Sequence, residues 1–157
     1  MKFIEELHLP KQLNPYQKVL LNLLYTATWL DNKMQKELRH FHLTLPQYNV
    51  LRILRTQNGE SLNAFDIQKR MVHPESNVTR IIEKLIEKKL VSRMDCKDNR
   101  RKIDISITDE GLNMLKKTDY LTLNNMEVFK SVLEPAEADN LSDLLDKVRI
   151  NFISIYS

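Results

Sequence analysis

The spacing of apolar residues changes character in one stretch of this chain, and that change constrains the fold more than anything else in it. From 15 to 41, Tyr16, Val19, Leu20, Leu23, Leu24, Ala27, Leu30, Met34, Leu38 and Phe41 follow one another at steps of three and four. That is the period of one long amphipathic helix. Between 90 and 108 the period drops to two. "LVSRMDC" (90–96) and "KIDISIT" (102–108) read as paired strands with Ile103, Ile105 and Ile107 facing inward. After 108 the helical spacing returns. Only two glycines (Gly59, Gly111) and five prolines occur, too few for an all-β chain. The expected class is mainly α with a small β-hairpin.

Polar residues punctuate the helices. Asn14 can cap the first helix with Pro15 in its opening turn. "TLPQ" (44–47) is a capping box, Thr44 at the N-cap and Gln47 three residues on. The helix it opens buries Leu51 and Leu54 and should stop at Asn58-Gly59, a left-handed signal. Asn63 caps a short helix, 64–71, with Ile67 and Met71 inward, and Pro74 suits the first turn of another, 74–89. Thr108 caps a long helix with Asp109 and Glu110 favouring its dipole. It runs to about Leu133 until Glu134-Pro135 breaks it. A last helix carries Leu141, Leu144, Leu145, Val148 and Phe152. Residues 44–108 thus form a helix-turn-helix followed by a β-wing, within a single domain spanning 1–157. The long helices, 15–43 and 109–157, carry more apolar surface than a monomer of this plan needs, and a two-fold symmetric homodimer is the simplest way to cover it.

Charge singles out the same middle segment. Residues 69–102 hold eleven Lys/Arg against five Asp/Glu, a balance of +6, leaving thirteen against sixteen elsewhere. A basic segment in a mildly acidic chain is the footprint of a nucleic-acid binder, or else a solvated helix face. In a helix-turn-helix the second helix enters the major groove. Here that is 74–89, whose outward residues are Ser76, Asn77, Thr79, Arg80 and Lys84. Asn suits adenine, Arg suits guanine, and Ser or Thr suit bases or phosphates. The wing tip adds Lys97, Arg100, Arg101 and Lys102, placed for a narrow minor groove or for phosphates. Each of the two arginines reads either as a contact or as the partner of a nearby acid.

The motif "SNVTRIIEKLIEKKLVSR" followed by "DNRRKIDISITDEG" resembles the recognition helix and wing of the MarR family, the multiple-antibiotic-resistance regulator type. Val78-Thr79-Arg80, Leu90-Val91, Arg93, Arg100-Arg101, Thr108 and Gly111 carry the likeness, and "LTLPQYNVLRIL" (43–54) resembles the preceding helix. Two positions depart from the family pattern. Lys89 stands where a glycine ends the helix, and Asn99 stands where an acid braces the wing against Arg93, with Asp98 one place earlier. The resemblance implies a winged helix-turn-helix flanked by long N- and C-terminal dimerisation helices. It further implies a ligand-responsive homodimeric repressor reading pseudo-palindromic double-stranded DNA, with a small aromatic effector near Tyr25, Trp29, His42 and Tyr48. Those aromatics read equally as core or dimer packing. The alternative function is a winged-helix module that binds a protein partner instead of DNA.

Other chemistry finds no support. One cysteine, Cys96, excludes an internal disulfide framework and fits a reducing, cytoplasmic setting. No apolar run reaches membrane-span length, and "MKFIEELHLP" does not read as a signal peptide. His40 and His42 do not share a helix face, so no metal or cofactor is expected. Neither a phosphate loop nor a catalytic triad stands out, and the chain is not expected to be an enzyme.

Overall fold

The chain turns where its polar punctuation falls. In the computed structural model, which describes residues 3–10, 12–73, 77–95 and 103–156, a short α1 (Phe3–Glu6) precedes α2 (Pro15–Arg39), α3 (Leu45–Arg55), α4 (Ala64–Arg70) and α5 (Val78–Glu87). Strands β1 (Val91–Asp95) and β2 (Ile103–Ile107) follow, then α6 (Asp109–Val132) and α7 (Pro135–Tyr156). The class is mainly helical with a two-stranded antiparallel hairpin, as the apolar spacing predicts. The four-residue α1 was not expected, because it is too short to show a period.

Asn14 caps α2 by accepting from the Gln17 amide, and Gln17 returns a bond to the Asn14 amide, a full capping box. Thr44 and Gln47 do the same for α3, and Asn63 accepts from the Asp66 amide at 3.0 Å to open α4. Gln35, on α2, braces the α2–α3 corner. Its side-chain amide accepts from the Leu45 N–H at 2.9 Å and donates to the Leu43 carbonyl at 3.3 Å.

Two boundaries differ from expectation. Helix α3 ends at Arg55, not at Asn58-Gly59. The left-handed pair (φ 52° and 96°) lies in the turn beyond the helix. Helix α5 starts at Val78 rather than Pro74, because the Asn77 backbone (φ −120°, ψ 43°) is not helical. Residues 74–76 lie outside the described residues.

The end of α5 corrects a further expectation. With Lys89 in place of glycine, the helix lacks the residue that takes a left-handed stop most cheaply, and a different closure is expected. Lys89 adopts the left-handed conformation itself, at φ 60°. The Leu90 N–H then bonds the Leu85 carbonyl at 2.9 Å and the Lys89 N–H bonds the Ile86 carbonyl at 2.8 Å. This is a Schellman closure, sealed by the buried pair Leu85 and Leu90. Thr108 completes the junction. Its N–H bonds the Leu90 carbonyl, its hydroxyl donates to the Lys89 carbonyl at 2.7 Å, and that hydroxyl accepts the Gly111 N–H at 3.0 Å. Gly111 is needed here because a Cβ would sit 2.2 Å from the Leu90 carbonyl oxygen.

The hairpin pairs Val91 with Ile107, Arg93 with Ile105 and Asp95 with Ile103. Ile105 is buried and Ile107 half-buried. An unforeseen bridge joins Leu62, before α4, to Ile105 through two backbone bonds of 2.9 Å. The core beneath it gathers Leu51 and Leu54 from α3, Ile67 from α4, Ile82 and Leu85 from α5 and Val91 from β1. The fold divides into two compact units, Met1–Thr118 and Asp119–Ser157. In the second, Glu134 accepts from the Ala138 amide as Pro135 opens α7. Its apolar residues Leu123, Met126, Phe129, Leu144 and Val148 stay largely exposed. The same holds for Val19, Leu20 and Leu24 on α2 in the first unit.

Because a left-handed non-glycine residue is strained, Lys89→Gly is expected to raise stability by about 0.5–1 kcal/mol, net of the added chain entropy. Gly111→Ala is expected to lower it by about 1–3 kcal/mol through the clash with Leu90. Urea unfolding midpoints at fixed protein concentration measure both.

Candidate nucleic-acid interface

Helix α5 is divided along its length by burial. Val78, Ile82 and Leu85 lie in the core, Ile81 and Ile86 are half-buried, and Thr79, Arg80, Glu83, Lys84 and Glu87 face outward. It packs on α3, α4 and β1, so its outer face is presented by a supported helix rather than a loose one.

At its start, Asn77 occupies the N-cap but makes no side-chain cap bond. Its amide is exposed beside Thr79 and Arg80, so three of the expected DNA-facing residues cluster at the helix N-terminus. Lys84 is on the same outer face, with its ammonium 2.8 and 3.1 Å from the two carboxylate oxygens of Glu87. Both side chains are more than half exposed, and such a pair exchanges readily for a stronger anion. Arg93 is exposed on β1. Ser76, Lys97, Arg100, Arg101 and Lys102 lie outside the described residues, as do Cys96 and the Asp98-Asn99 pair.

The four aromatic candidates are not brought together. The Tyr25 hydroxyl donates to the Glu6 carboxylate, which with nearby burial and charge raises its pKa above the usual tyrosine range. Trp29 is half exposed, with the Lys33 ammonium 5.4 Å from its ring centre. His42 is an exposed residue in the left-handed position (φ 54°) that closes α2. Only Tyr48, buried and 5.8 Å from the Arg52 guanidinium, lines a cavity. That cavity, of about 430 Å³, is also lined by Asp31, Met34, Arg52, Arg70 and His73.

Sequence reading missed three polar side chains that tie this head together. One is Gln35. The others are His73, whose Nε2 lies 3.1 Å from Asp31 on α2, and Lys88 at the end of α5. No periodicity or motif marks them, since each looks like an ordinary solvated residue. Among the described residues, no helix is long and apolar enough to cross a membrane.

Two helices at the heart of a three-helix head, an outward-facing second helix and a hairpin directly after it define a winged helix-turn-helix protein. Comparison with known proteins narrows this. Residues 43–103 match the MarR family model. The regulator TcaR of Staphylococcus aureus is 27% identical over 141 residues, covering 88% of this chain and 91% of its own. The structure of AbsC, a MarR family transcriptional regulator from Streptomyces coelicolor, superposes with a TM-score of 0.79 at 21% identity, covering 92% of this chain and 99% of that one. That of Sco3205, from the same organism and in complex with DNA, superposes at 0.77 with 21% identity and 89% of each chain. The chain carries a MarR-family segment at residues 43–103 and is similar to MarR-type regulators over most of its length. It is a DNA-binding transcription regulator, not an enzyme.

The unused cap at Asn77 has a measurable consequence. Asn77→Ala is expected to leave folding stability within about 0.5 kcal/mol, whereas Asn63→Ala, which removes a working cap, should cost about 1 kcal/mol. Paired thermal or urea denaturation curves distinguish the two.

Proposed function

We propose that the chain is a homodimeric, sequence-specific repressor in which α5 reads the major groove and the hairpin tip grips the flanking backbone. The observation that carries this reading is the exposed trio Asn77, Thr79 and Arg80 at the start of a helix whose opposite face is fully used by the core. Asn77 and Arg80 supply bidentate groups for adenine and guanine, Thr79 a hydroxyl for base or phosphate. Lys84, released from Glu87, would meet a phosphate. Ser76 extends the reading surface, and Lys97, Arg100, Arg101 and Lys102 supply the wing's positive charge.

The exposed apolar residues of α2, α6 and α7 support a dimer, which the single-domain reading of 1–157 assigns to the helices 15–43 and 109–157. Two heads related by a two-fold axis would read half-sites about 34–36 Å apart. An effector has a seat in the cavity beside Tyr48, where Arg52 and Arg70 offer cations to a small aromatic acid while His73 faces Asp31. Tyr25, Trp29 and His42 then serve α2 itself.

Fluorescence anisotropy against duplexes selected from a random pool tests the DNA reading. Asn77→Ala and Arg80→Ala are each expected to cost about 1–3 kcal/mol on the selected duplex and to relax preference at one position. Arg100→Ala with Arg101→Ala should weaken binding to all duplexes alike and reduce the salt slope by about 1 per lost phosphate contact. Binding that stays sequence-blind for the unaltered protein at low salt overturns the proposal in favour of a protein partner. For the dimer, Leu144→Asp with Val148→Asp is expected to yield monomers in sedimentation analysis and to abolish operator binding.

A further inference from the structure

Lys88 is the C-cap residue of α5, and beside a reading helix such a cation would ordinarily be counted among the phosphate contacts. Its surroundings argue otherwise. The ammonium donates to the His42 carbonyl and, at 3.1 Å, to the Gln47 side-chain oxygen. His42 is the left-handed residue that closes α2, where the Leu43 N–H bonds the Leu38 carbonyl at 3.1 Å and the His42 N–H bonds the Arg39 carbonyl at 3.0 Å. Gln47 is buried in the first turn of α3, and the same oxygen takes the Thr44 N–H at 3.2 Å. One ammonium therefore meets the end of α2, the start of α3 and, as its own C-cap residue, the end of α5.

The electrostatics favour this placement. Helix C-termini carry partial negative charge, and the cation bonds a carbonyl at the closure of α2 while its own backbone caps α5. The N–H groups at the start of α3 would repel it, but the Gln47 oxygen stands between. Hydrogen bonds with a charged donor are the stronger kind, and two of the ammonium's three N–H groups are already committed within the fold. The opposite end of α5 is tied to the same partner, since His73, shortly before the helix, pairs with Asp31 on α2 at 3.1 Å. Helix α2 thus holds the segment around α5 on both sides.

We propose that Lys88 is a positioning residue that fixes the angle of the reading helix against α2 without contacting DNA. The inference rests on α5 being the reading helix. Its consequence is that a displacement of α2 reaches the reading residues through this tether, with His73–Asp31 as the second point of attachment.

The test uses the full chain and two substitutions. Lys88→Met keeps the aliphatic stem and removes the charge, while Lys88→Arg keeps a cationic donor. Anisotropy is read on a duplex selected by the unaltered protein and on a scrambled duplex, across a salt series, with amide hydrogen exchange measured on the free proteins. Lys88→Met is expected to lower the ratio of selected to scrambled affinity about tenfold, with the salt slope on the scrambled duplex unchanged. Exchange at the Leu43 and Leu90 amides should accelerate, and Lys88→Arg should restore both readouts. A salt slope reduced by about 1 in Lys88→Met would make Lys88 a phosphate contact and overturn the proposal. An unchanged affinity ratio beside an intact selected-duplex preference also overturns it. So does unchanged exchange, whatever the DNA result. If the unaltered protein selects no duplex, the reading-helix assignment fails and the tether stands or falls on the exchange data alone.

Discussion

Everything in the winged-helix head depends on how the chain leaves α5. The helix must stop, reverse and enter β1 within three residues, because the hairpin packs against the same core as the helix. Lys89 achieves this with a left-handed backbone, and its carbonyl and that of Leu90 are then both satisfied by Thr108. Thr108 in turn opens α6 through the Gly111 N–H. One junction therefore sets the end of α5, the root of the hairpin and the first turn of α6. The threonine and glycine of the "ITDEG" segment follow from this geometry: a hydroxyl to bridge two backbones, and no side chain where the Leu90 carbonyl comes within contact distance.

The apolar surface is partitioned in a way that separates the two kinds of work the chain does. In the head, the inner faces of α3, α4, α5 and the hairpin are consumed in one core, and the outer face of α5 is left polar. In the long helices the reverse holds, with leucine, valine and phenylalanine left in solvent on α2, α6 and α7. Exposed apolar stripes of this extent mark interaction sites rather than noise. Under the proposed function, in which two heads meet one duplex, both arrangements have a use at once.

How much of this was legible in the sequence divides along physical lines. The caps at Asn14, Thr44 and Asn63 were readable because capping is local: residue type and a spacing of three carry the whole signal. The hairpin was readable because its period is unlike that of everything around it. The start of α5 was not, since Pro74 is equally at home in a first helical turn and in the approach to one, and the backbone at Asn77 decided the matter. Lys88 and Gln35 were invisible for a different reason. Their partners, His42 and Gln47 for one, Leu43 and Leu45 for the other, are brought near by the fold and share no pattern with them. Of the expected site, Asn77, Thr79, Arg80 and Lys84 lie exposed at or along α5, while Tyr25 and Trp29 on α2, His42 beyond it and Tyr48 on α3 have different neighbours.

Helix α5 breaks a local rule at each end. Asparagine is the N-cap of three helices in this chain. At α2 and α4 its oxygen accepts the expected amide, and at α5 it does not. At the other end a lysine holds a conformation that glycine would adopt without strain. Both choices leave stability ungained, on the order of 1 kcal/mol each. The helix persists because Val78, Ile82 and Leu85 are buried and because the head holds it from both sides. Local inconsistency supported by tertiary packing is what a functional element shows when its residues serve something outside the fold. An asparagine that does not cap leaves its amide exposed beside Thr79 and Arg80, and under the proposed function that amide is what α5 offers to a base edge.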